Sequence, residues 1–508
     1  MHETHSLADV LIVGSGLMGA AVARQVRLAH PRARIVMVDG GSTIGSIPGQ
    51  HLHDTPEPEI WKRYNAEVES GIQSLYVGAE TSRDIGEGVA DADPGMYNLA
   101  AFGEQAEAMP ASAVAWNVGG MGVHWTAATP WPAGNEVFDH GNAEQWDADL
   151  ETARGILRVH PAPFPASLPG AATLARLDAL FANSSGPGRH PQVMPMAVEP
   201  VTSGTMPRTG PNRIFPAIRT GDDPNFELLE ATLAVELMHD GATVVGARVR
   251  DVATGAESVI AARSTVVCAD TIRTPQLLFA SGIRMPALGR YLNEHAFLTG
   301  QVLVDLDRLG LTLADLPRRR AGEWFADSLW IPQNGDAQPF HGQIMNSVFV
   351  DDDEAPLAYA FGMSLYVPNE IRAENRLVFS ETEADAAGLP LISVEFSYSA
   401  RDHALIDDAR ATMQRTAETF GQFDPQTDSM LLAPGSSLHY TGTVRAGEAD
   451  DGTSVCDPEG RVWGFDNLYV AGNGVVPTAV VCNSTLTGMV TAVRAARAVS
   501  RRLESVRL

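Results

Sequence analysis

Runs of about 18 apolar residues are absent from the 508-residue chain, so no stretch reads as a membrane-spanning helix. Cysteine is almost missing too. Cys268, Cys456 and Cys482 lie far apart, without metal-like spacing, and make no disulfide framework. Basic side chains are scarce, with 36 Lys and Arg against 62 Asp and Glu and a formal net charge of −26. That balance excludes nucleic acid and an anionic membrane surface as partners and suits a neutral or cationic substrate, although much of it serves solubility. No HExxH and no carboxylate–histidine cluster at ligand spacing occurs, which removes a metal site and a metal-dependent hydrolase from consideration. Met1-His2-Glu3-Thr4-His5 lacks a basic segment leading into an apolar one, so no Sec-type signal is expected and the cytoplasm is the expected compartment. Internal repeats, low-complexity tracts and heptads are lacking as well.

What remains is an enzyme-like composition, 44% hydrophobic and 19% charged, on a chain long enough for two closely joined domains. Asp9-Val10-Leu11-Ile12-Val13 reads as a short strand, and Gly14-Ser15-Gly16-Leu17-Met18-Gly19 follows directly. Ala20 to Ala29 has helical composition, and Arg34-Ile35-Val36-Met37-Val38 gives a second strand ending on Asp39. Gly14, Gly16 and Gly19 make a tight turn that lets backbone approach a pyrophosphate, and Asp39 is placed to accept from a ribose hydroxyl. After Asp39 the chain turns irregular and Gly/Pro-rich through His51, and few strand signals appear from Glu57 to Glu107. An NAD domain would continue in regular β-α units; the interruption fits a flavoprotein with a second domain inserted.

Between Asn117 and Pro132 a loop carries Gly119-Gly120-Met121 and His124-Trp125-Thr126, either a buried turn around a Trp–His pair or a wall for a flavin ring. Residues 151–224 show amphipathic helical stretches and no chemistry. A strand meander is expected from Asn225 to Ala269, with Ala234 in it, then a helix from Thr271 to Phe279 opening on Thr274-Pro275. Gly289 to His295 reads as a polar loop, with His295 in a structural role. Residues 300–435 carry β-alternation at Thr299–Val304, Ile344–Val350, Leu357–Val367 and Leu391–Tyr398, and a helix over Asp402–Thr419.

The last stretch organises the rest. Leu438-His439-Tyr440 precedes the strand Phe465–Val470, the turn Ala471-Gly472-Asn473-Gly474, and Cys482-Asn483-Ser484-Thr485 at the start of an apolar helix. A glycine turn between a buried strand and a helix sets N–H groups and a positive dipole end beside an anion or an electron-rich ring. His439 and Asn483 flank that turn and are expected to converge over what it holds. Asn483 also suits a helix N-cap. The arrangement reads as a site where an alcohol is oxidised against a flavin: neutral His439 takes the hydroxyl proton, Asn483 bonds the same oxygen, and the hydride goes to flavin N5. A nicotinamide-dependent dehydrogenase and a non-catalytic flavin carrier are the rival classes.

With these residues assembled, the chain resembles the glucose-methanol-choline family of flavin oxidoreductases, and within it the pyranose oxidases. The likeness rests on Val13-Gly14-Ser15-Gly16, Gly119-Gly120-Met121, His124-Trp125-Thr126, Pro275-Gln276-Leu277-Leu278, Asn293-Glu294-His295, Leu438-His439 and Asn483-Ser484-Thr485-Leu486-Thr487. It implies an α/β fold: a Rossmann-like FAD domain with an inserted α+β substrate domain on an antiparallel-type sheet. The expected division gives residues 1–60, 110–135, 225–300 and 436–508 to FAD, and 61–109, 136–224 and 301–435 to substrate. The resemblance makes His439 and Asn483 catalytic and gives the cofactor Gly14, Gly16, Gly19, Asp39, Gly119, Gly120, Met121, His124, Trp125, Thr126, Ala234, Gly472, Asn473, Ser484 and Thr485. His124 stands where fungal members attach FAD covalently, but Val123 replaces their preceding threonine, which leaves a tether open. Gln343, Met345, Ser347, Phe349 and Ser364 fall at the substrate. There the charged and aromatic sugar loop of the fungal enzymes is lacking, as is their oligomerisation arm. The resemblance therefore implies a glycoside 3-oxidase that tolerates a bulky aglycone, with dioxygen or a quinone-type acceptor and a monomeric or dimeric state. Pyranose 2-oxidation of free sugars and a dye-linked sugar dehydrogenase are its alternatives.

Overall fold

The computed structural model describes residues 7–69, 85, 88–164, 167–199, 206–317 and 328–506. Part of the expected strand-poor segment from Glu57 to Glu107 therefore lies outside the described residues. Two large sheets dominate. In the first, Phe226–Leu229, Ile35–Val38, Ala8–Val13 and Glu257–Val267 run parallel in that order. The two central strands, Ala8–Val13 and Ile35–Val38, send apolar side chains into a core on each face, as strands covered from both sides require. The long strand Glu257–Val267 has two partners along its far edge. Its first half pairs antiparallel with Thr243–Asp251, which pairs in turn with Thr232–Asp240, and its last three residues pair parallel with Leu468–Val470. Phe226–Leu229 thus belongs beside the second strand and not in a meander; the meander begins at Thr232.

The helix Leu17–Ala29 packs its alanine-rich face on the C-terminal helix Thr485–Val506, and both cover the parallel sheet. The small side chains allow close approach. Asp149, on the helix Ala143–Leu157, accepts from Arg494 and Arg497 and fastens that helix to the C-terminal one.

The second sheet is antiparallel throughout, in the order Ser429–Leu431, Ala296–Leu303, Pro356–Val367, His341–Val350, Ser328–Ile331, Gln192–Val193. The helix Ala400–Phe420 covers one face through Ile406, Met413 and Phe420. Ala296–Leu303 belongs wholly to this sheet. The Leu391 run stays out of it: Pro390–Glu395 pairs with Arg376–Ala384 as a separate hairpin and bridges Gln105 on its other side. No described helix is long and apolar enough to cross a membrane.

The helix expected over Thr271–Phe279 spans Asp270–Ala280, and Pro275 lies inside it and not in its first turn. Proline leaves the carbonyl four residues back without its helical donor. Here the Thr443 hydroxyl donates to the Thr271 carbonyl instead, at 2.5 Å, and the helix runs on. Arg273, one turn in, lies between the buried carboxylates of Glu104 and Asp385 at 2.6 and 2.9 Å, joining this helix to the hairpin side of the molecule.

Candidate active site

A cavity of about 350 Å³ runs from the first glycine turn to the face of the second sheet. At one end Gly14 has φ +99°, in the left-handed region that favours glycine. A Cβ there would stand 2.4 Å from the Cys268 carbonyl oxygen, and one at Gly19 would stand 2.1 Å from the Gly14 oxygen. Gly16 occupies the N-cap of the Leu17–Ala29 helix, with no side-chain cap and no acidic residue in the first turn. Its first N–H groups and positive dipole end therefore face the cavity unopposed, which suits a diphosphate. Asp39 lines the same end. One carboxylate oxygen accepts from the Ser15 amide and hydroxyl at 3.0 and 2.6 Å, the other from Gly41 N–H, and burial raises its pKa to about 6. Ser15 also accepts from Gly119 N–H at 2.8 Å, which draws the Gly119–Gly120 loop onto the first turn. That bridge has no signature beyond the residue between two glycines.

Gly120, Met121, His124, Trp125, Thr126, Ala234, Gly472, Asn473 and Thr485 all line the cavity. Gly19, Gly119 and Ser484 stand behind its wall: Gly19 packs helix on strand, Gly119 holds Ser15, and Ser484 accepts from Asn473 Nδ2 at 2.8 Å. Gly488 N–H bonds the Ser484 carbonyl, so Ser484 takes the N-cap position of the helix Thr485–Val506 and Asn483 precedes it. The N-cap expectation for Asn483 is thereby corrected; its side chain is engaged elsewhere. His124 Nε2 lies 2.9 Å from Asn117 Oδ1, and attachment of a flavin to that nitrogen would break this contact.

At the other end the structure brings His439 and Asn483 together, with His439 Nε2 3.3 Å from Asn483 Nδ2. Asn483 Oδ1 accepts from Gln343 Nε2 at 2.5 Å, and Gln343 in turn lies 3.2 Å from His341 Nε2. Burial lowers the His439 pKa to about 4, so the ring is neutral near neutral pH. The segment carrying it is strained: Leu438 sits at φ +59°. Glu294, 2% exposed, holds that conformation. Its carboxylate accepts from Gly435 N–H, Ser437 N–H and Ser437 Oγ–H, and Ser437 Oγ accepts from His439 N–H. Burial raises the Glu294 pKa to about 7. Glu136 does the same for Asn483, accepting from Val481 and Cys482 N–H at 2.8 and 3.1 Å.

Sequence reasoning gave His295 a structural role. The structure sets its Nε2 2.9 Å from His439 Nδ1, beside Tyr366. Its place in Asn293-Glu294-His295 was the available signal, since Glu294 and His295 serve the same neighbour. Gln343, Met345 and Ser364 line the cavity, whereas Ser347 and Phe349 continue along the same strand face outside it, Phe349 at 55% exposure. On one side their cross-strand neighbours Ser364, Gly362, Ala360 and Ala358 are small; on the other, Gln343 faces Trp330 and Met345 faces Ser328.

The chain is similar to known proteins along nearly its whole length. Residues 217–297 and 372–492 match two models described as GMC oxidoreductase. A C-glycoside 3-oxidase of Arthrobacter globiformis is 36% identical over 98% of this chain and 96% of its own, and one of Microbacterium trichothecenolyticum is 37% identical over 96% of each. A pyranose 2-oxidase of Tricholoma matsutake is 28% identical over 97% of this chain and 93% of its own. Among solved structures, a formate oxidase of Aspergillus oryzae aligns over 100% of both chains with a TM-score of 0.66 at 14% identity, a likeness of fold. Near-complete coverage by the C-glycoside oxidases, the two matched segments and a cavity opened by a dinucleotide turn establish the chain as an FAD-dependent member of the GMC oxidoreductase family.

Proposed function

We propose that this enzyme oxidises the C3 hydroxyl of a pyranose glycoside to the ketone. The observation that carries the reading is the His439–Asn483 pair, 3.3 Å apart, at the far end of the cavity opened by the glycine turn. When bound, FAD supplies a two-electron acceptor for the hydride leaving the substrate carbon. Gly14, Gly16 and the first turn of the Leu17–Ala29 helix would hold its diphosphate and Asp39 and Ala234 the adenosine side, with Thr126 also lining the cavity. His439 Nε2 accepts the hydroxyl proton as the C–H bond breaks, and Asn483 Nδ2 donates to the same oxygen, orienting it. A neutral imidazole in a site of low polarity needs no prior deprotonation for this.

Higher identity to the C-glycoside 3-oxidases favours a glycoside, and so do the small residues Gly362, Ala360 and Ala358 opposite Met345, Ser347 and Phe349, beside which an aglycone would lie. The likeness to pyranose 2-oxidases keeps C2 oxidation of free sugars as the second reading. Electrons then leave to dioxygen or a quinone-type acceptor. The three cysteines, all buried thiols, suit a reducing cytoplasm. Anaerobic mixing with an aryl C-glucoside should bleach the flavin faster than the same concentration of free glucose, and NMR should locate the product ketone at C3. The same preparation, precipitated with acid, should give a colourless pellet, since His124 is engaged with Asn117. Faster bleaching by glucose with a C2 ketone would favour the second reading.

Burial of His439 also fixes a pH dependence. The base works when neutral, so activity is lost as pH falls through its folded pKa. With that pKa lowered to about 4, the acid limb of kcat/KM for flavin reduction lies far below the ordinary histidine value of about 6.5. A limb at or above 6.5 would show that His439 is not held in this environment in the loaded enzyme.

A further inference from the structure

We propose that His295 is a positioning residue that locks His439 in the tautomer whose Nε2 lone pair faces the cavity. The inference rests on His439 being the base and adds what determines which of its nitrogens acts. The direction of each bond follows from one end. The Val480 carbonyl can only accept, and it lies 3.3 Å from His295 Nδ1, so that nitrogen carries the hydrogen. His295 is 2% exposed, and burial pushes its pKa well below the ordinary value, so the ring is neutral and Nε2 is bare. Nε2 lies 2.9 Å from His439 Nδ1, which must therefore be the donor. The remaining nitrogen of His439, Nε2, keeps its lone pair, and the Asn483 amide stands beside it.

The anchor is itself fixed. Val480 N–H donates to the Thr478 carbonyl, Thr478 Oγ–H to the Glu136 carbonyl, and Val481 and Cys482 N–H to the Glu136 carboxylate. Tyr366 packs 4.5 Å from the His295 ring and 5.5 Å from the His439 ring, between centroids, holding their planes. Among the described residues, the titratable groups facing His439 are His295, His341 and Tyr366. Without an acceptor at Nδ1, His439 would be free to take the Nε2–H form, with a hydrogen on the atom that must receive one. In the reaction the substrate O–H bond breaks and an N–H bond forms at Nε2. The electron pair of the C–H bond leaves with the hydride to FAD. The Nδ1–H to His295 bond then becomes charge-assisted, and its proton stays on His439.

The test compares His295→Leu and His295→Gln in the FAD-loaded full chain, by anaerobic stopped-flow reduction with an aryl C-glucoside. Leucine removes the acceptor; glutamine restores one. The leucine variant should lose about 10²-fold or more in limiting reduction rate, with the half-saturating concentration changed only a few-fold. The deficit should be the same at every pH above the acid limb, and glutamine should recover most of the rate. A wild-type rate in the leucine variant, an equal loss in glutamine, or a deficit that disappears at high pH would each overturn the proposal. Should leucine fail to load FAD, glutamine decides alone: about a tenth of the wild-type rate or more supports the proposal, and less overturns it. His439→Ala run alongside separates the two levels. An inactive His439→Ala with an unimpaired His295→Leu overturns only this inference, whereas an unimpaired His439→Ala overturns the base assignment beneath it.

Discussion

His439→Ala should yield a yellow protein that keeps its FAD, and whose flavin is reduced by glycoside about 10²–10⁴-fold more slowly. The fold should survive because little of it depends on the imidazole. The strained turn at Leu438 is held through the backbone N–H groups of Gly435 and Ser437 and the Ser437 hydroxyl, all on Glu294. His295 keeps its bond to the Val480 carbonyl, and Asn483 keeps Gln343. What disappears is the one lone pair placed to take the hydroxyl proton. Ground-state binding should change little, so the loss appears in the limiting rate of single-turnover reduction. A wild-type single-turnover rate would remove His439 from the chemistry.

The second large effect sits at the opposite end of the cavity. Gly14→Ala should give a protein with little or no visible flavin absorbance and a lowered Tm. The φ of +99° alone costs on the order of 1–3 kcal/mol for a residue with a Cβ. That Cβ would also lie 2.4 Å from the Cys268 oxygen and 2.8 Å from its carbon. Neither side can retreat freely, since Gly14 N–H donates to the Val38 carbonyl and Cys268 N–H to the Val13 carbonyl at the ends of three adjoining strands. Relief would move the turn away from the diphosphate. Gly155→Ala is the matched control: it lies inside the helix Ala143–Leu157, nothing stands within 4 Å of its added Cβ, and alanine there should stabilise by about 0.5–1 kcal/mol. Equal flavin content in the two variants would contradict the cradle.

The glycine-turn end of the cavity was legible in the sequence because both turns that build it, Gly14 to Gly19 and Gly472 to Gly474, follow a buried strand in consecutive residues. The approach of His439 to Asn483 followed from that geometry, since both flank the second turn. What escaped depends on contacts between distant segments. His295 earns its place through the Val480 carbonyl, 185 residues away, and a carbonyl has no signature in sequence. Glu294 matters because Leu438 adopts a left-handed backbone that leucine does not advertise. Asn483 looked like a helix cap because its type favours caps, and a neighbouring Ser484 took that place. Pro275 looked like a helix start because the rescue of the Thr271 carbonyl by Thr443, 172 residues on, is invisible locally. The Leu391 run alternates as strands of the main sheet do, yet alternation does not say which partner a strand finds.

The most direct trial of the C3 assignment is the deuterium isotope effect on anaerobic flavin reduction, with an aryl C-glucoside labelled at C3 or, separately, at C2. Deuterium at C3 should slow bleaching several-fold, and deuterium at C2 should leave it unchanged. Slowing by the C2 label alone, or by neither, would contradict hydride removal from C3 beside His439 and Asn483.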